Sequence, residues 1–164
     1  MENIRIRKVA ASDAEFLHKL MNDENIIERL NEIETTIDVW KSAITEWEND
    51  PDEEDYIVYD ATVAIGWLGI NNLLSSNKQA YIKMIALLPK YQGRGIGKYV
   101  ISQAIENFRL RGYSSFGLYT DLSNFVAQGC YRKCGFEITD TIIEKMSNGK
   151  SIERVKMMMT LNVR

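Results

Sequence analysis

The chain contains 164 residues, 45% of them hydrophobic and 26% charged, a composition typical of a soluble globular protein. A net charge of −3 argues against a general nucleic-acid-binding protein, which usually carries a surplus of basic residues. The apolar stretches are too short to span a membrane, and the first residues lack the apolar core of a signal peptide. We therefore expect one cytoplasmic domain, residues 1–164, that binds neither nucleic acid nor membrane.

Three segments in the first 50 residues have clear periodicity. The stretch IRIRKV (4–9) alternates apolar and basic residues, which predicts a half-buried strand. The stretch SDAEFLHKLMND (12–23) predicts a helix capped by Ser12. The stretch TTIDVWKSAITEWEND (35–50) repeats apolar residues at helical spacing and predicts a second helix.

An acidic run follows the second predicted helix. The stretch EWENDPDEED (46–55) holds seven acidic residues in ten. We favour a solvated loop, which is the usual structure of such a run. The alternative is that its charge attracts a cationic substrate.

The remaining chain alternates strands and helices. The segment 56–74 predicts two strands joined near DAT (60–62), and the segments 79–88 and 114–121 predict one strand each. Two helices are expected, one that Gly112 ends and one at 123–136. A hairpin with an Asn-Gly turn closes the chain, with strands at 136–146 and 151–161. This order predicts an α/β (α+β) fold with a mixed sheet of about seven strands flanked by about four helices.

The stretch IALLPKYQGRGIGK (85–98) joins a predicted strand to a predicted helix through three glycines. Because the first amides of a helix lack intrahelical partners and its dipole favours negative charge, this turn predicts an anion site, with Arg94 and Lys98 adding positive charge. Neither common nucleotide motif fits. Tyr99 replaces the hydroxyl residue of a Walker A loop, and the glycine spacing GxGxG differs from the dinucleotide pattern GxGxxG.

The sequence offers little for metal or thiol chemistry. Cys130 and Cys134 lie four residues apart on one predicted helix face, but no nearby Cys or His completes a zinc site. We interpret both as small packing residues and predict no metal. His18 is the sole histidine, and we expect it to be solvated or half-packed on its helix.

Two motifs together resemble the GNAT superfamily of N-acetyltransferases. Gln92, Gly95 and Gly97 match the acetyl-CoA motif (Arg/Gln)-x-x-Gly-x-(Gly/Ala), with Pro89 in the usual place. Downstream, the pattern N-x-x-A-x-x-x-Y-x-x-x-G-F at 124–136 is similar to the family's next helix and turn. The resemblance covers essentially the whole chain and implies the GNAT fold.

The resemblance also implies how acetyl-CoA is bound. The backbone of the glycine turn would hold the pyrophosphate, and an exposed strand edge would pair with the amides of the pantetheine arm. The implied cofactor-binding residues are Ile85, Ala86, Leu87, Gln92, Gly93, Arg94, Gly95, Ile96, Gly97, Lys98 and Asn124. Tyr131 stands at the family's general-acid position, where a phenol can protonate the departing thiolate.

The sequence does not decide which group acts as the general base or which amine is the acceptor. Many relatives carry a glutamate on the strand before the glycine turn, but AYIKMIALL (80–88) contains Lys83 and no acid. Asp121, Glu32, Glu34 or ordered water are the candidates for the base. The resemblance implies acetylation of a primary amine of a small molecule or peptide, and the acidic residues suit a cationic one. The alternative function is a non-catalytic module that senses acyl-CoA. The chain could also form a homodimer.

Overall fold

The computed structural model describes residues 1–161, which form one seven-stranded mixed sheet. The strands are β1 (Ile4–Lys8), β2 (Glu54–Asp60), β3 (Val63–Asn71), β4 (Gln79–Leu87), β5 (Ser115–Asp121), β6 (Glu137–Lys145) and β7 (Ser151–Thr160). Their spatial order is β1-β2-β3-β4-β5-β7-β6, and the β4–β5 pair is parallel while the others are antiparallel. The predicted mixed sheet of seven strands is confirmed.

Five α-helices flank this sheet, one more than the sequence predicted. They are α1 (Ala14–Met21), α2 (Glu24–Leu30), α3 (Ile37–Asn49), α4 (Ile96–Leu110) and α5 (Phe125–Lys133). The helix that the sequence analysis missed is α2. Asp23 caps it by accepting hydrogen bonds from the backbone N–H of Asn25 (3.0 Å) and of Ile26 (3.3 Å). Among the helices of residues 1–161, none is long and apolar enough to cross a bilayer.

The start of α1 also differs from the prediction. Ser12 lies inside a short 3-10 turn before the helix and does not cap it. The neighbouring Asp13 stabilises this turn, because its carboxylate accepts a hydrogen bond from Ala10 N and pairs with Arg7. The prediction of a Ser12 cap was therefore wrong.

The helices cover both faces of the sheet. On one face α4 packs over the central strands, and Phe108, Phe116 and Phe136 are almost completely buried there. On the other face α1, α2 and α3 pack through Leu17, Ile26 and Ile44, among others. The sheet thus has two separate apolar cores, and a ligand that passes between two strands could reach both sides.

Such a passage exists between β4 and β5. These strands pair through three residues each, from Gln79 with Ser115 to Tyr81 with Gly117. Beyond this point they separate, and we call the space between residues 82–87 and 118–121 the gap. β4 stays paired with β3 up to Leu87, and β5 stays paired with β7 up to Asp121. The gap is therefore a local divergence within a sheet that is otherwise continuous.

Close packing of β3 against β4 next to the gap yields a stability prediction. A Cβ atom at Gly66 would lie 2.5 Å from the Ala86 carbonyl oxygen. We expect Gly66→Ala to lower the free energy of unfolding by about 1–3 kcal/mol, because backbone must move to relieve this overlap. The matched control is Gly129→Ala in α5, where a Cβ meets nothing within 4 Å and should stabilise the helix by about 0.5–1 kcal/mol. Urea unfolding measures both, and two changes of the same sign would contradict the prediction.

Candidate functional site

The glycine turn connects β4 to α4 in a conformation that requires glycine. Gly93 and Gly95 have φ angles of 69° and 78°, in the left-handed region, and Gly95 is the N-cap of α4. The first intrahelical bond of α4 runs from Tyr99 N to Gly95 O. The amides of Ile96, Gly97 and Lys98 therefore precede it without intrahelical acceptors, and they face the helix N-terminus. The turn therefore presents three amides without intrahelical acceptors at the N-terminus of α4.

Positive side chains surround this turn. Lys90, Arg94 and Lys98 form no ion pair with any other residue in 1–161. Lys90 and Arg94 both lie over the Tyr91 ring, at 5.0 and 5.5 Å from its centroid. The first turn of α4 contains no acidic residue. The turn thus combines unpaired amides, a helix dipole and three uncompensated cations, which together favour a polyanion.

Gln92 connects the turn to its surroundings through both ends of its amide. Its Nε2 donates to the Leu87 carbonyl at 2.8 Å, which satisfies the last carbonyl of β4. Its Oε1 accepts a hydrogen bond from Arg29 Nη1 at 2.6 Å, so the last turn of α2 is tied to the glycine turn. Gln92 therefore fixes where the turn begins.

Two backbone N–H groups of β4 face the gap without a partner in the described structure. Leu88 N donates to Ile65 O on β3 at 2.8 Å, and backbone groups alternate between the two sides of a strand. Ile85 and Leu87 therefore direct their N–H groups into the gap, whereas Ala86 points towards β3. An extended ligand with amide groups could pair with this edge as an added strand does. Of the three residues predicted here, two thus present their amides to the gap.

Tyr131 lies on α5, half-buried against the core beside Phe136, with the two ring centroids 6.2 Å apart. Burial raises the pKa of Tyr131 to about 12, and Arg154 opposes that rise. Its hydroxyl forms no hydrogen bond with another group in residues 1–161. At neutral pH the phenol is protonated and free to donate a hydrogen bond to a ligand.

Asn124 has a structural role at the start of α5. Its Oδ1 accepts a hydrogen bond from Ala127 N at 3.1 Å and so caps α5. Its Nδ2 donates to no other described residue. The side chain thus orients the helix that carries Tyr131 and keeps one donor group for a ligand.

The far arm of the gap ends in a polar cluster that the sequence analysis did not assemble. Asp121, the last residue of β5, accepts a hydrogen bond from Asn31 Nδ2 at 3.1 Å and lies 3.4 Å from Arg154 Nε. Asn31 in turn accepts hydrogen bonds from Asn148, at 3.1 Å to its backbone oxygen and 3.2 Å to its side chain. The sequence analysis predicted Asp121 as a candidate base. It could not predict these partners, because they come from distant parts of the chain.

The other two carboxylates predicted as candidates for the base are less constrained. Glu32 is half-buried and Glu34 is exposed. Neither side chain forms a hydrogen bond or an ion pair within residues 1–161. The structure therefore holds Asp121 in place and leaves the two glutamates, on the segment between α2 and α3, without such partners.

Lys83 occupies a bulge of β4 and is neutralised from the side of α3. Its Nζ pairs with Glu53 and lies 3.3 Å from Asp55 Oδ1. The same ammonium lies 4.6 Å from the Trp47 ring centroid and 5.2 Å from that of Trp67. Lys83 is thus enclosed by carboxylates and tryptophan faces, which attract a cation, whereas burial lowers the pKa of Lys83 to about 8.

The acidic run is not the solvated loop that we favoured. It spans the end of α3 and the start of β2, and it borders a cavity of about 430 Å³. Asp55 is buried, and burial raises its pKa to about 7. Glu54 pairs with Arg111 at 2.8 Å, while Glu53 and Asp55 pair with Lys83. The acids of the run that remain exposed and form no ion pair in the described structure are Glu46 and Glu48 on α3 and Asp50, which follows α3.

The cysteines and the histidine lie where packing explains them. Cys130 and Cys134 are free, half-buried thiols, and Cys134 packs against the core. The neighbouring Cys134 thiol lowers the pKa of Cys130, and the positive charges of Lys133 and Lys98 act in the same direction. His18 is half-buried, with Nε2 3.0 Å from the Thr35 carbonyl oxygen. Within residues 1–161 no group of three potential metal ligands occurs.

Comparisons with known proteins agree with this geometry. The model of the acetyltransferase (GNAT) family matches residues 15–136. The fold is similar to spermidine N-acetyltransferase from Vibrio cholerae in complex with CoA and spermine, with a TM-score of 0.87, 22% identity, and coverage of 98% of this chain and 96% of that one. A dodecameric structure of spermidine N-acetyltransferase from Vibrio cholerae gives a TM-score of 0.82 at 21% identity, with 98% and 95% covered. No curated protein sequence matches the chain at significant similarity.

Proposed function

Because the chain belongs to the GNAT acetyltransferase family, we propose that it acetylates a primary amine of a small cationic molecule, with polyamines as the favoured class. The protein is an N-acetyltransferase that uses acetyl-CoA. The observation that carries the proposal is the joining of two features at one end of β4: an unpaired strand edge that faces a gap, and a glycine turn with free amides.

Acetyl-CoA fits these features by its chemistry. Its pyrophosphate suits the amides of residues 93–98, where Arg94 and Lys98 add positive charge. Its pantetheine arm carries amides that suit the unpaired N–H groups of Ile85 and Leu87. Asn124 Nδ2 is a further donor for the arm. These contacts would lead the thioester through the gap from the α4 face towards the face of α1, α2 and α3.

The chemical step follows from the groups that border the gap. A neutral amine attacks the thioester carbonyl, an N–C bond forms, and the C–S bond breaks, while the attacking nitrogen loses one proton to ordered water or a nearby carboxylate. A β4 amide such as that of Ile85 can donate to the developing oxyanion. Tyr131 donates the proton that the leaving thiolate needs, since its raised pKa keeps it protonated. The products are the acetylated amine and CoA.

Charge supports a cationic acceptor. Lys83, the cation on β4, pairs with Glu53 and Asp55, and these carboxylates offset its repulsion of an ammonium group. Glu46 and Glu48 add exposed negative charge on the same face. The similar enzyme from Vibrio cholerae is named for spermidine, a polyamine. We therefore place polyamines ahead of aminoglycosides and peptide termini.

The deciding experiment is a panel of amines incubated with acetyl-CoA and a thiol reagent. Thiol release that depends on spermidine or another amine supports the proposal. Release with peptides alone moves the substrate class to peptide termini. Tight CoA binding without amine-dependent release for any member would contradict the proposed acceptor class.

We also propose that copies of the chain associate. The dodecameric assembly is a property of the Vibrio cholerae enzyme. In this chain β6 is an edge strand whose Ile143 side chain is 74% exposed, and such an edge is suited to contact with another copy. Light scattering measures the mass of the assembly in solution. A dimer or a larger ring would support the proposal, and a monomer would contradict it.

The first functional prediction concerns the glycine turn. Gly95→Asp places a side chain on a residue with φ of 78° and adds negative charge beside the pyrophosphate site. We expect CoA affinity to fall at least about tenfold by calorimetry, since hydrogen bonds to charged groups are lost. Gly112→Asp is the matched control, because it has φ of 92°, carries the same charge change and lies at the other end of α4. Equal CoA affinity in both variants would refute the pyrophosphate site.

The second prediction concerns Tyr131. Tyr131→Phe removes the proposed proton donor and leaves the ring in place. We expect kcat to fall on the order of a hundredfold, with little change in CoA affinity. Tyr56→Phe is the control, because it removes a hydroxyl in the same way at a site away from the gap. In the wild type this hydroxyl donates a hydrogen bond to Glu54 on β2. Wild-type turnover in Tyr131→Phe would rule out the donor role.

The third prediction concerns the exposed acids of α3. If Glu46 and Glu48 attract the amine, kcat/KM with spermidine should fall as salt rises, because exposed charges are screened beyond about 8 Å at physiological ionic strength. The double variant Glu46→Gln/Glu48→Gln should flatten that slope and leave kcat nearly unchanged. Glu137→Gln/Asp140→Asn on β6 makes the same charge change elsewhere and should keep the wild-type slope. Identical slopes in all three proteins would assign the α3 acids to ordinary surface.

A further inference from the structure

We propose that Asp121 binds the ammonium group of the acceptor at the far arm of the gap and, after this group has lost a proton to solvent, holds the neutral amine nitrogen towards the thioester. This inference rests on the proposed function and adds the residue that recognises the reacting amine. Residue type alone left Asp121 equal to Glu32 and Glu34. The contacts of Asp121 within the fold separate it from them.

The position of Asp121 is the first argument. It is the last residue of β5, so it lies where β4 and β5 are furthest from their paired segment at Tyr81 and Gly117. Its hydrogen bond to Asn31 directs the carboxylate towards the end of α2, on the face that α1, α2 and α3 cover. The glycine turn starts α4 on the opposite face. An acceptor on the Asp121 side would therefore meet a thioester that arrives from the other side.

The unused capacity of the carboxylate is the second argument. Asn31 donates to Oδ2, and Arg154 Nε lies 3.4 Å from Oδ1, while a carboxylate accepts about four hydrogen bonds. The Asp121 side chain remains 19% exposed, so a ligand can reach the other lone pairs. Arg154 also bonds Glu144 at 2.7 Å and the Tyr119 carbonyl at 3.1 Å. Because the guanidinium is shared in this way, Asp121 keeps negative charge for a second cation.

The rigidity of the cluster is the third argument. Asn31 is 8% exposed and ends α2 in the left-handed conformation, with φ of 54°. Its two hydrogen bonds from Asn148 attach the tip of the β6–β7 hairpin to α2. The hairpin tip and the end of α2 thus meet beside Asp121 and fix its carboxylate before any ligand arrives. Preorganisation of this kind is what a group that orients a reacting atom requires.

A purely structural ion pair is the competing interpretation, and a matched pair of variants distinguishes it. Asp121→Asn and Glu144→Gln each remove one negative charge and one partner of Arg154. The amide oxygen that Asp121→Asn introduces can still accept from Asn31, so the local fold is kept. Glu144, whose side chain is 45% exposed, lies outside the gap. A structural role predicts similar effects of the two variants, whereas amine recognition predicts an effect of Asp121→Asn alone.

The readout is calorimetric binding of spermidine to the protein saturated with CoA, which needs no turnover. We expect Asp121→Asn to weaken spermidine binding by about tenfold or more, and Glu144→Gln to change it less than about twofold. In steady-state kinetics Asp121→Asn should raise KM for the amine and leave KM for acetyl-CoA unchanged. Wild-type affinity in Asp121→Asn, or equal losses in both variants, overturns the inference.

The experiment also distinguishes failure of the proposed function from failure of the inference about Asp121. If the wild type binds spermidine through Asp121 but releases no thiol, the proposed function fails and the inference stands. If the wild type with bound CoA does not bind spermidine, the inference is overturned. Should Asp121→Asn not fold, Asp121→Glu keeps the charge and displaces the carboxylate by one methylene. It is expected to weaken spermidine binding severalfold, and unchanged binding would count against Asp121.

Discussion

β4 and β5 share three residue pairs before they separate, and every other feature of the site depends on that separation. An unpaired backbone group that is removed from water costs about 1–3 kcal/mol, so a sheet opens in its centre only where something else can satisfy its edges. Here β3 and β7 hold the outer sides of the two strands, so the inner edges stay extended and accessible. A ligand with regularly spaced amides can complete the edge of β4, and the unpaired segment of β4 extends to Leu87, shortly before the glycine turn.

The last turn of α2 keeps the two arms at a fixed distance. Arg29 donates to Gln92 on the β4 side, and Asn31 donates to Asp121 on the β5 side. These two donors lie two positions apart at the end of a seven-residue helix, so their separation is set by the helix end itself. Through Asn148 the β6–β7 hairpin is fixed to the same point. A short helix thus acts as a spacer, and a change at Asn31 would alter both the width of the gap and the orientation of Asp121.

The sequence predicted the local parts of this arrangement and missed the long-range ones. The glycine turn is encoded within residues 92–98, because backbone conformation and helix start are decided by neighbours, and its features could be inferred directly. The helix α2 was missed because seven residues show too little periodicity and its stability comes from the Asp23 cap and from packing. The bonds of α2 to Gln92 and of Asn31 to Asp121 join residues 63 and 90 positions apart, a pairing that no local pattern encodes.

Lys83 shows why the residue at one strand position cannot decide the chemistry of a site. A lysine where relatives carry a glutamate suggests that a cationic substrate would be repelled. In the fold, Glu53 and Asp55 pair with Lys83 and two tryptophan faces enclose it. Two carboxylates of the acidic run therefore stabilise this lysine and add little negative charge to the surface. The negative charge that borders the gap then comes from β5, where Asp121 shares Arg154 with Glu144. In our proposal Asp121 on β5 supplies the carboxylate that contacts the amine, so the amine should approach from the side of β5.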